Sequence, residues 1–291
     1  MGTSQTPATI AQALTWAQAH ELDRLDAQLL VLHALGRAGN DRAWLLAHNT
    51  DTLPNSAHVT LQVTVRRRTT GEPLAYITGH KEFYGLDLAV DARVLVPRPD
   101  TETLVDWALE VLVRQPGTAT PTSVMDLGTG SGAIALALKH ARPSLQVSAV
   151  DFSAGALAVA RANAERLKLD VAFSQGSWLD GVPDHFDAIV SNPPYIAEAD
   201  HHLAALTHEP LSALASGTDG LDDIRTIIQQ APPRLRSGGW LLLEHGYDQA
   251  PAVRALLTQA GFADAQSRCD LAGIERCSGA WLPLTLAGAK V

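Results

Sequence analysis

This sequence predicts two parts, an amino-terminal helical bundle followed by an α/β domain built on a mostly parallel sheet. Its 291 residues favour two domains at roughly 150 residues each. Apolar residues recur at helical spacing through the first eighty positions. From Ser123 onward, short apolar runs alternate with helical segments, which is the pattern of successive βαβ units.

Thr6-Pro7 offers a capping residue and then a proline at a first helical position, after which Ile10, Leu14 and Ala17 keep helical spacing. Leu25, Leu29, Leu32 and Leu35 repeat the period. Asp41 ahead of Trp44-Leu45-Leu46, and Asn55 ahead of Val59 and Val63, mark two further capped helices. From Gly79 to Pro99 the character changes. Phe83-Tyr84-Gly85 and Leu88-Ala89-Val90 flank short turns, and Val94-Leu95-Val96 runs into Pro97-Arg98-Pro99, so this stretch reads as a hairpin linker. A helix over 100–114 and a turn-rich stretch, Gln115 to Thr122, follow. Strands are expected at 123–127, 146–151, 171–175, 186–191, 240–244, 263–268 and 281–286, with helices over 133–141, 154–167 and 221–235. The expected divisions are 1–78 for the helical domain, 79–100 for the linker and 101–291 for the α/β domain.

Hydrophobic residues make up 46% and charged ones 18%, so the chain can bury a sizeable core and is not disordered throughout. The net charge of −9 repels a phosphate backbone, which argues against broad nucleic-acid binding. Cys269 and Cys277 are too few for a disulfide framework and lack the spacing and histidines of a zinc site; they are read as reduced and structural. Met1 to Ile10 has no basic region ahead of an apolar core, and no apolar run of about 18 residues occurs. A cytoplasmic protein with no membrane partner is expected.

The chemistry concentrates in two turns. Asp126-Leu127-Gly128-Thr129-Gly130-Ser131-Gly132-Ala133 ends a strand and opens a helix, and its glycines let a ligand approach the backbone closely. Nineteen residues past Gly132, Asp151 ends the next strand, where a carboxylate can accept hydrogen bonds from both hydroxyls of a ribose. The pair fits two cofactors: the glycine pattern admits NAD, and Gly-Thr-Gly-Ser-Gly is equally the form seen in S-adenosylmethionine sites. Asn192-Pro193-Pro194-Tyr195, directly after the strand at 186–191, decides between them, because a dehydrogenase has no need for it. Two prolines stiffen the backbone and supply no N–H, so the turn offers carbonyl acceptors beside the Asn192 side chain. Such a cradle suits a planar NH2 group, whose lone pair is delocalised and whose nitrogen is a poor nucleophile. If the Asn192 oxygen and the Pro193 carbonyl hold both hydrogens, the nitrogen's face points at a methyl donor. Tyr195 can stack on the planar group or wall the pocket.

At this point the sequence resembles the glutamine methyltransferases of peptide chain release factors, the HemK/PrmC family. The resemblance spans nearly the whole chain. It rests on Glu72-Pro73-Leu74-Ala75-Tyr76-Ile77-Thr78-Gly79, on Glu82-Phe83-Tyr84-Gly85-Leu86, and on the run from Val94 to Glu102. Further matches are Val150-Asp151-Phe152-Ser153, Gly176-Ser177-Trp178, Glu209-Pro210 and Asp219-Gly220-Leu221-Asp222. Two details differ: Asp100 stands where the family's glutamate is usual, and His245 where an aliphatic residue is expected.

The resemblance implies a Rossmann-like class I S-adenosylmethionine-dependent methyltransferase domain with a mostly parallel seven-stranded sheet and a final antiparallel strand. It also implies a small helical domain that docks the release factor. The substrate implied is the glutamine of the Gly-Gly-Gln motif in class 1 peptide chain release factors, methylated at N5, with S-adenosyl-L-homocysteine as product. Carried over by position, Gly128, Thr129, Gly130, Ser131, Gly132, Asp151 and Phe152 bind the cofactor, Trp178 lies against its adenine region, and Asn192, Pro193, Pro194 and Tyr195 hold the substrate amide. Asn192, Pro193 and Tyr195 are the catalytic candidates. No metal, no covalent intermediate, no direct nucleic-acid contact and a monomer are expected, and no general base is assigned.

The bland readings prevail elsewhere. Arg66-Arg67-Arg68 is a solvated helix end favoured by the helix dipole. His201-His202, with His208 and Glu209 nearby, lacks metal-ligand spacing and reads as a loop after the active-site turn. Trp16, Trp44 and Trp107 read as core or interface aromatics. Three competing functions stay open: an amino methyltransferase acting on adenine in DNA or RNA or on a different protein glutamine, a non-enzymatic binding module, and a dehydrogenase.

Overall fold

In the computed structural model, which describes residues 7–112 and 122–283, helix formation begins at Ile10 and not at Pro7. Thr9 is extended, and its hydroxyl accepts the Gln12 N–H at 3.3 Å. Ala8 and Thr9 pair instead with the segment around Thr52, where Leu53 N–H donates to the Ala8 carbonyl at 2.9 Å, and this keeps them out of the helix. Thr6 lies outside the described residues.

The chain divides into two compact units, Met1–His80 and Lys81–Val291. In the first, helices α1 (Ile10–Gln18), α2 (Arg24–Ala34), α3 (Arg42–Ala47), α4 (Asn55–Thr69) and α5 (Leu74–Thr78) surround a core of Ile10, Leu30, Leu45, Leu61 and Ile77. The predicted helices form, but α4 presents a different face and α2 a slightly rotated one. Leu25, Val59 and Val63 are exposed; on α2 the expected Leu32 is buried, together with Ala27, Leu30 and Val31, and Leu29 and Leu35 pack against the core, whereas α4 buries Ala57, Leu61, Thr64 and Val65. The arginine run is only partly solvated: Arg67 pairs with Glu72 and Arg68 with Asp26, both at 2.5 Å, while Arg66 is exposed. Trp16 and Trp44 are half-buried beside this core.

The second unit opens with a hairpin, β1 (His80–Phe83) and β2 (Leu86–Ala89). Tyr84 and Gly85, both with positive φ (51° and 75°), make the tight reversal that suits twisted strands. This stretch is more than a linker. Phe83, Leu86 and Leu88 are buried in the unit's core with Trp107. A single 3-10 turn (Pro99–Thr101) leads into α6 (Glu102–Val111), after which come β3 (Ser123–Leu127), α7 (Ala133–Ala141), β4 (Gln146–Asp151), α8 (Ala154–Leu167), β5 (Ala172–Gln175) and β6 (Phe186–Ser191). The unit ends with α9 (Asp222–Gln230), β7 (Leu235–Glu244), α10 (Ala250–Gln259), β8 (Ala263–Cys269) and β9 (Glu275–Trp281). The last part of the helix expected over 100–114, and nearly all of the turn-rich stretch after it, lie outside the described residues.

The seven strands order as β5-β4-β3-β6-β7-β9-β8, parallel except for β9, which runs antiparallel to both neighbours. The predicted mostly parallel sheet is therefore present. Side chains alternate between its faces. Val124, Ala188, Val190 and Leu242 pack toward Leu104, Trp107 and Leu136, while Met125, Ile189, Leu241 and Leu243 pack toward Ile224, Ile227 and Val253. Three boundaries shift. The helix expected over 221–235 stops at Gln230, ahead of Pro232-Pro233. β7 starts at Leu235, earlier than expected, across a register break opposite Phe186. The last strand precedes its expected place because the Asp270 carboxylate accepts the Ala272 and Ile274 N–H groups, closing a short turn that launches β9 at once. Residues 284–286 lie outside the described residues. Cys277 is buried on β9 and Cys269 is exposed at the end of β8. Among the described residues, no helix is long and apolar enough to cross a membrane.

Gly279 on β9 sits where the antiparallel strand crosses the core. A Cβ there would overlap Leu242 Cδ2 and approach both the Leu241 carbonyl and Trp107 Cη2 at 3.0 Å. Gly279→Ala should therefore destabilise the protein by about 1–3 kcal/mol in denaturant unfolding. An unchanged midpoint would mean that this contact can relax.

Candidate active site

Parallel strands deliver their carboxyl ends to one edge, and register decides which residues meet there. Leu127 pairs with Val150 on one side and with Ser191 on the other, Ser191 pairs with Leu243, and Asp151 pairs with Gln175. The next residues out from these ends, Gly128, Asp151, Asn192 and Glu244, therefore leave the sheet side by side. The Ser191 hydroxyl donates to the Leu127 carbonyl at 2.8 Å and pins the two central ends together.

The loop after β3 turns with positive φ at Gly128, Gly130 and Gly132. At Gly128 the glycine is required twice: φ is +68°, and a Cβ would lie 3.2 Å from the Trp178 ring. Trp178 is held over this loop by its indole N–H, which donates to Asp223 at 3.2 Å. Gly130 N–H donates to Asp151 Oδ2 and Ser153 N–H to Oδ1, each at 2.8 Å. Burial raises the Asp151 carboxyl above its ordinary range, and these two backbone bonds oppose the rise.

A cleft of about 300 Å³ opens over this edge, lined by Gly128, Gly130, Asp151, Phe152, Trp178, Asn192 and Pro194. Arg93, Val94 and Leu95 form one wall and the segment around Pro210 to Ala213 another. Phe152 is 78% exposed, an apolar ring left uncovered at a sheet end. Thr129, Ser131, Gly132 and Pro193 do not line the cleft. Thr129 and Ser131 are buried beneath it, the first donating to Asp126 Oδ2 at 2.6 Å and the second accepting from Asn163 at 3.0 Å. Tyr195 lines a smaller adjoining cavity of about 90 Å³ with Arg98 and Ile196, and Asn192, Leu95 and Ala213 belong to both.

The Asn192 amide donates to the Thr101 hydroxyl at 3.2 Å. The Tyr195 hydroxyl donates to Glu244 Oε1 at 3.3 Å, and its carbonyl accepts from Gln249 at 3.0 Å. Burial pushes the Glu244 carboxyl up to about 7, and Asp126 likewise to about 7. Arg98 pairs with the buried Glu209 at 2.5 Å, and the second Glu209 oxygen accepts the Val96 N–H at 3.0 Å. The sequence reading missed Thr101, Glu244 and the Arg98–Glu209 pair as site residues. The signal lies in the runs from Val94 to Glu102 and at Glu209-Pro210, the first of which reads in the sequence as the end of a linker.

His245 is buried. Its Nδ1 meets the Gly246 carbonyl at 2.9 Å and its Nε2 the Ser278 hydroxyl at 2.8 Å, and burial lowers its pKa. Serine partners across the sheet thus accommodate a ring where an aliphatic side chain was expected. Asp200, His201 and His202 cluster at the surface, with the Asp200 carboxylate accepting the His202 N–H at 2.8 Å.

Residues 101–260 match the family described as Methyltransferase small domain, and residues 10–79 match PrmC N-terminal domain. A release factor glutamine methyltransferase of Bordetella pertussis is 50% identical over 265 residues, covering 90% of this chain and 96% of the relative. The chain belongs to the release factor glutamine methyltransferase family. Another member, from Burkholderia pseudomallei, is 46% identical and covers 97% of this chain and 99% of its own length. A crystal structure of a methyltransferase from Pyrococcus furiosus shares the fold, with a TM-score of 0.54 at 17% identity over 77% of this chain and 98% of that one. Both the family and the fold class read from the sequence are borne out, and with them an enzyme that transfers methyl groups.

Among release factor glutamine methyltransferases, this chain carries a testable cost at Asp126. Its folded pKa lies above the unfolded value of 3.8, so the stability it contributes is present below that value and is lost as pH rises toward about 7. The stability of Asp126→Asn relative to the wild type should therefore increase between about pH 4 and pH 7 in thermal unfolding and level off above that. A difference that does not change with pH would remove the buried charge from the account.

Proposed function

We propose that this enzyme transfers a methyl group from S-adenosyl-L-methionine to N5 of the glutamine in the Gly-Gly-Gln motif of class 1 peptide chain release factors, in the cytoplasm. The observation that carries the reading is the place of Asn192, at the junction of the larger cleft and the smaller cavity. A methyl acceptor held there faces the donor's cleft from the substrate's side.

The cleft's residues fit the donor. The Asp151 carboxylate suits the two ribose hydroxyls, and the exposed Phe152 ring and Trp178 offer apolar surface to an adenine. Bound there, S-adenosyl-L-methionine supplies an electrophilic methyl group on its sulfonium. Asn192 lines both cavities, and its Oδ1 accepts one N–H of the glutamine amide; the Pro193 carbonyl next to it in the chain takes the second once the substrate reaches past the cleft lining, which fixes the plane of a weakly nucleophilic nitrogen. Tyr195 walls the substrate side. Catalysis here is mainly positioning, and no side chain is assigned to take the surplus proton.

We assign release-factor docking to the helical unit, where Leu46, Val59 and Val63 are large, exposed apolar side chains. A net charge of −9 favours a protein partner over a bare nucleic acid.

The test incubates the full chain with radiolabelled S-adenosyl-L-methionine and a class 1 release factor and locates the label by peptide mass spectrometry. One methyl on the Gly-Gly-Gln glutamine is expected. Asn192→Ala should lower kcat by about a hundredfold while changing cofactor Kd less than about twofold, and Asp151→Ala should weaken cofactor binding about tenfold. Equal loss of turnover and cofactor affinity in Asn192→Ala would contradict the cradle. Label on adenine in a parallel oligonucleotide sample, with none on the release factor, would overturn the substrate.

A further inference from the structure

We infer that Gln249 is a positioning residue for the Asn-Pro-Pro-Tyr turn, holding the Tyr195 carbonyl so that Asn192 and Pro193 keep their places on the substrate's side of the cleft. The inference rests on the amide-cradle reading above, in which that turn carries the glutamine amide.

The need for such a residue follows from the turn's composition. Neither Pro193 nor Pro194 has a backbone N–H, so the middle of the turn can be tied to the protein only through carbonyls. The Pro193 carbonyl is reserved for the substrate, and the turn must then be held at its two ends. At the first, the Ser191 hydroxyl donates to the Leu127 carbonyl at 2.8 Å. At the second, Gln249 Nε2 donates to the Tyr195 carbonyl at 3.0 Å, and Ile196 continues into a bridge with Ala215, its N–H donating to the Leu214 carbonyl at 2.9 Å. The longer bond from the Tyr195 hydroxyl to Glu244, 3.3 Å, holds the ring and leaves the backbone to Gln249.

Gln249 immediately precedes α10, and its own N–H donates to the Gly246 carbonyl at 3.1 Å, so its backbone is fixed. A side-chain amide has one acceptor oxygen and two donor hydrogens. Here Oε1 accepts the Gly246 N–H at 2.8 Å, and the two hydrogens go to the Tyr195 carbonyl and, at 3.2 Å, to the Asp219 carbonyl. Turning the amide over would set its oxygen against two carbonyls and its NH2 against an N–H, so one orientation alone satisfies all three contacts. One side chain thereby joins the segment after β7, the loop ahead of α9 and the far end of the turn.

The loop ahead of α9 is shaped to the same contact. The Asp219 carboxylate accepts the Leu221 N–H at 3.1 Å and pairs with Arg225 on α9 at 2.5 Å, which fixes the loop. Gly220 then passes against the turn with φ of +75°, where a Cβ would overlap the Tyr195 carbonyl oxygen and come within 2.8 Å of Gln249 Nε2. Only glycine fits there. The Asp219-Gly220-Leu221-Asp222 run thus supplies both a second acceptor for Gln249 and the backbone against which the Tyr195 carbonyl rests.

Two substitutions separate donation from packing. Gln249→Glu has the native shape and still accepts the Gly246 N–H, but it sets an oxygen against both carbonyls; Gln249→Met keeps the length and makes none of the three bonds. The kcat on the release factor should drop about tenfold in Gln249→Met and further in Gln249→Glu, with the Kd for S-adenosyl-L-methionine within about twofold of wild type in both. A residue that only fills space would rank the two the other way, because Glu is the closer match in shape. Should Gln249→Glu fail to fold, as its thermal melt would show, Gln249→Met alone decides. Wild-type kcat in Gln249→Met, a folded Gln249→Glu enzyme faster than Gln249→Met, or a cofactor Kd that weakens in step with kcat would each overturn the inference. A wild-type enzyme that leaves the release-factor glutamine unmethylated would instead overturn the reading beneath it.

Discussion

The pairing of Leu127 with Ser191 in the middle of the sheet is the interaction on which the rest of the site depends. The glycine loop begins one residue beyond the first and the Asn-Pro-Pro-Tyr turn one residue beyond the second, so the two turns of the candidate site are neighbours because two strand ends are. A slip of one residue would turn every side chain on a strand to the opposite face. Val124 and Met125, or Leu241, Leu242 and Leu243, could not survive such an exchange, since each alternates between two separate apolar cores. The geometry of the candidate site is thus maintained by hydrophobic burial on both faces of the sheet.

Polar side chains are buried around this arrangement in two contrasting ways. Asn163 is fully buried, and its amide makes bonds of 2.8 Å and 3.0 Å to the Ala89 N–H and carbonyl and another of 3.0 Å to the Ser131 carbonyl, so it costs little and ties the hairpin to the glycine loop. Asp126 and Glu244 each leave one oxygen without a partner. Both unsatisfied carboxyls stand at or beside strand ends, whereas His245, the residue just past β7, is bonded at both nitrogens, to the Gly246 carbonyl and the Ser278 hydroxyl.

What was legible in the sequence follows the range of the forces involved. The Gly128–Gly132 loop and the Asn192–Tyr195 turn could be read because each is a local solution: positive φ, missing Cβ atoms and proline rigidity are properties of adjacent residues. The buried face of α4 could not, because Val59 and Val63 are apolar enough to mark a helix yet lie on the side that the neighbouring helices leave uncovered. The parts of the site contributed by Thr101, Arg98 and Glu209 were hidden for a similar reason. Their roles arise from contacts across about a hundred residues of chain, such as the Arg98–Glu209 pair, and no spacing rule reports these.

The hairpin's burial bears on how this protein can be dissected. Family resemblance to the methyltransferase domain starts at residue 101, whereas the compact unit starts at Lys81. A fragment cut at the family boundary would discard Phe83, Leu86 and Leu88 from the core and strip Asn163 of both its Ala89 contacts, removing one support of the nucleotide-type loop without touching any residue of that loop. A fragment that keeps this core whole is therefore longer than the methyltransferase-domain match, and the twenty residues before position 101 are part of its scaffold, not a spacer to be trimmed.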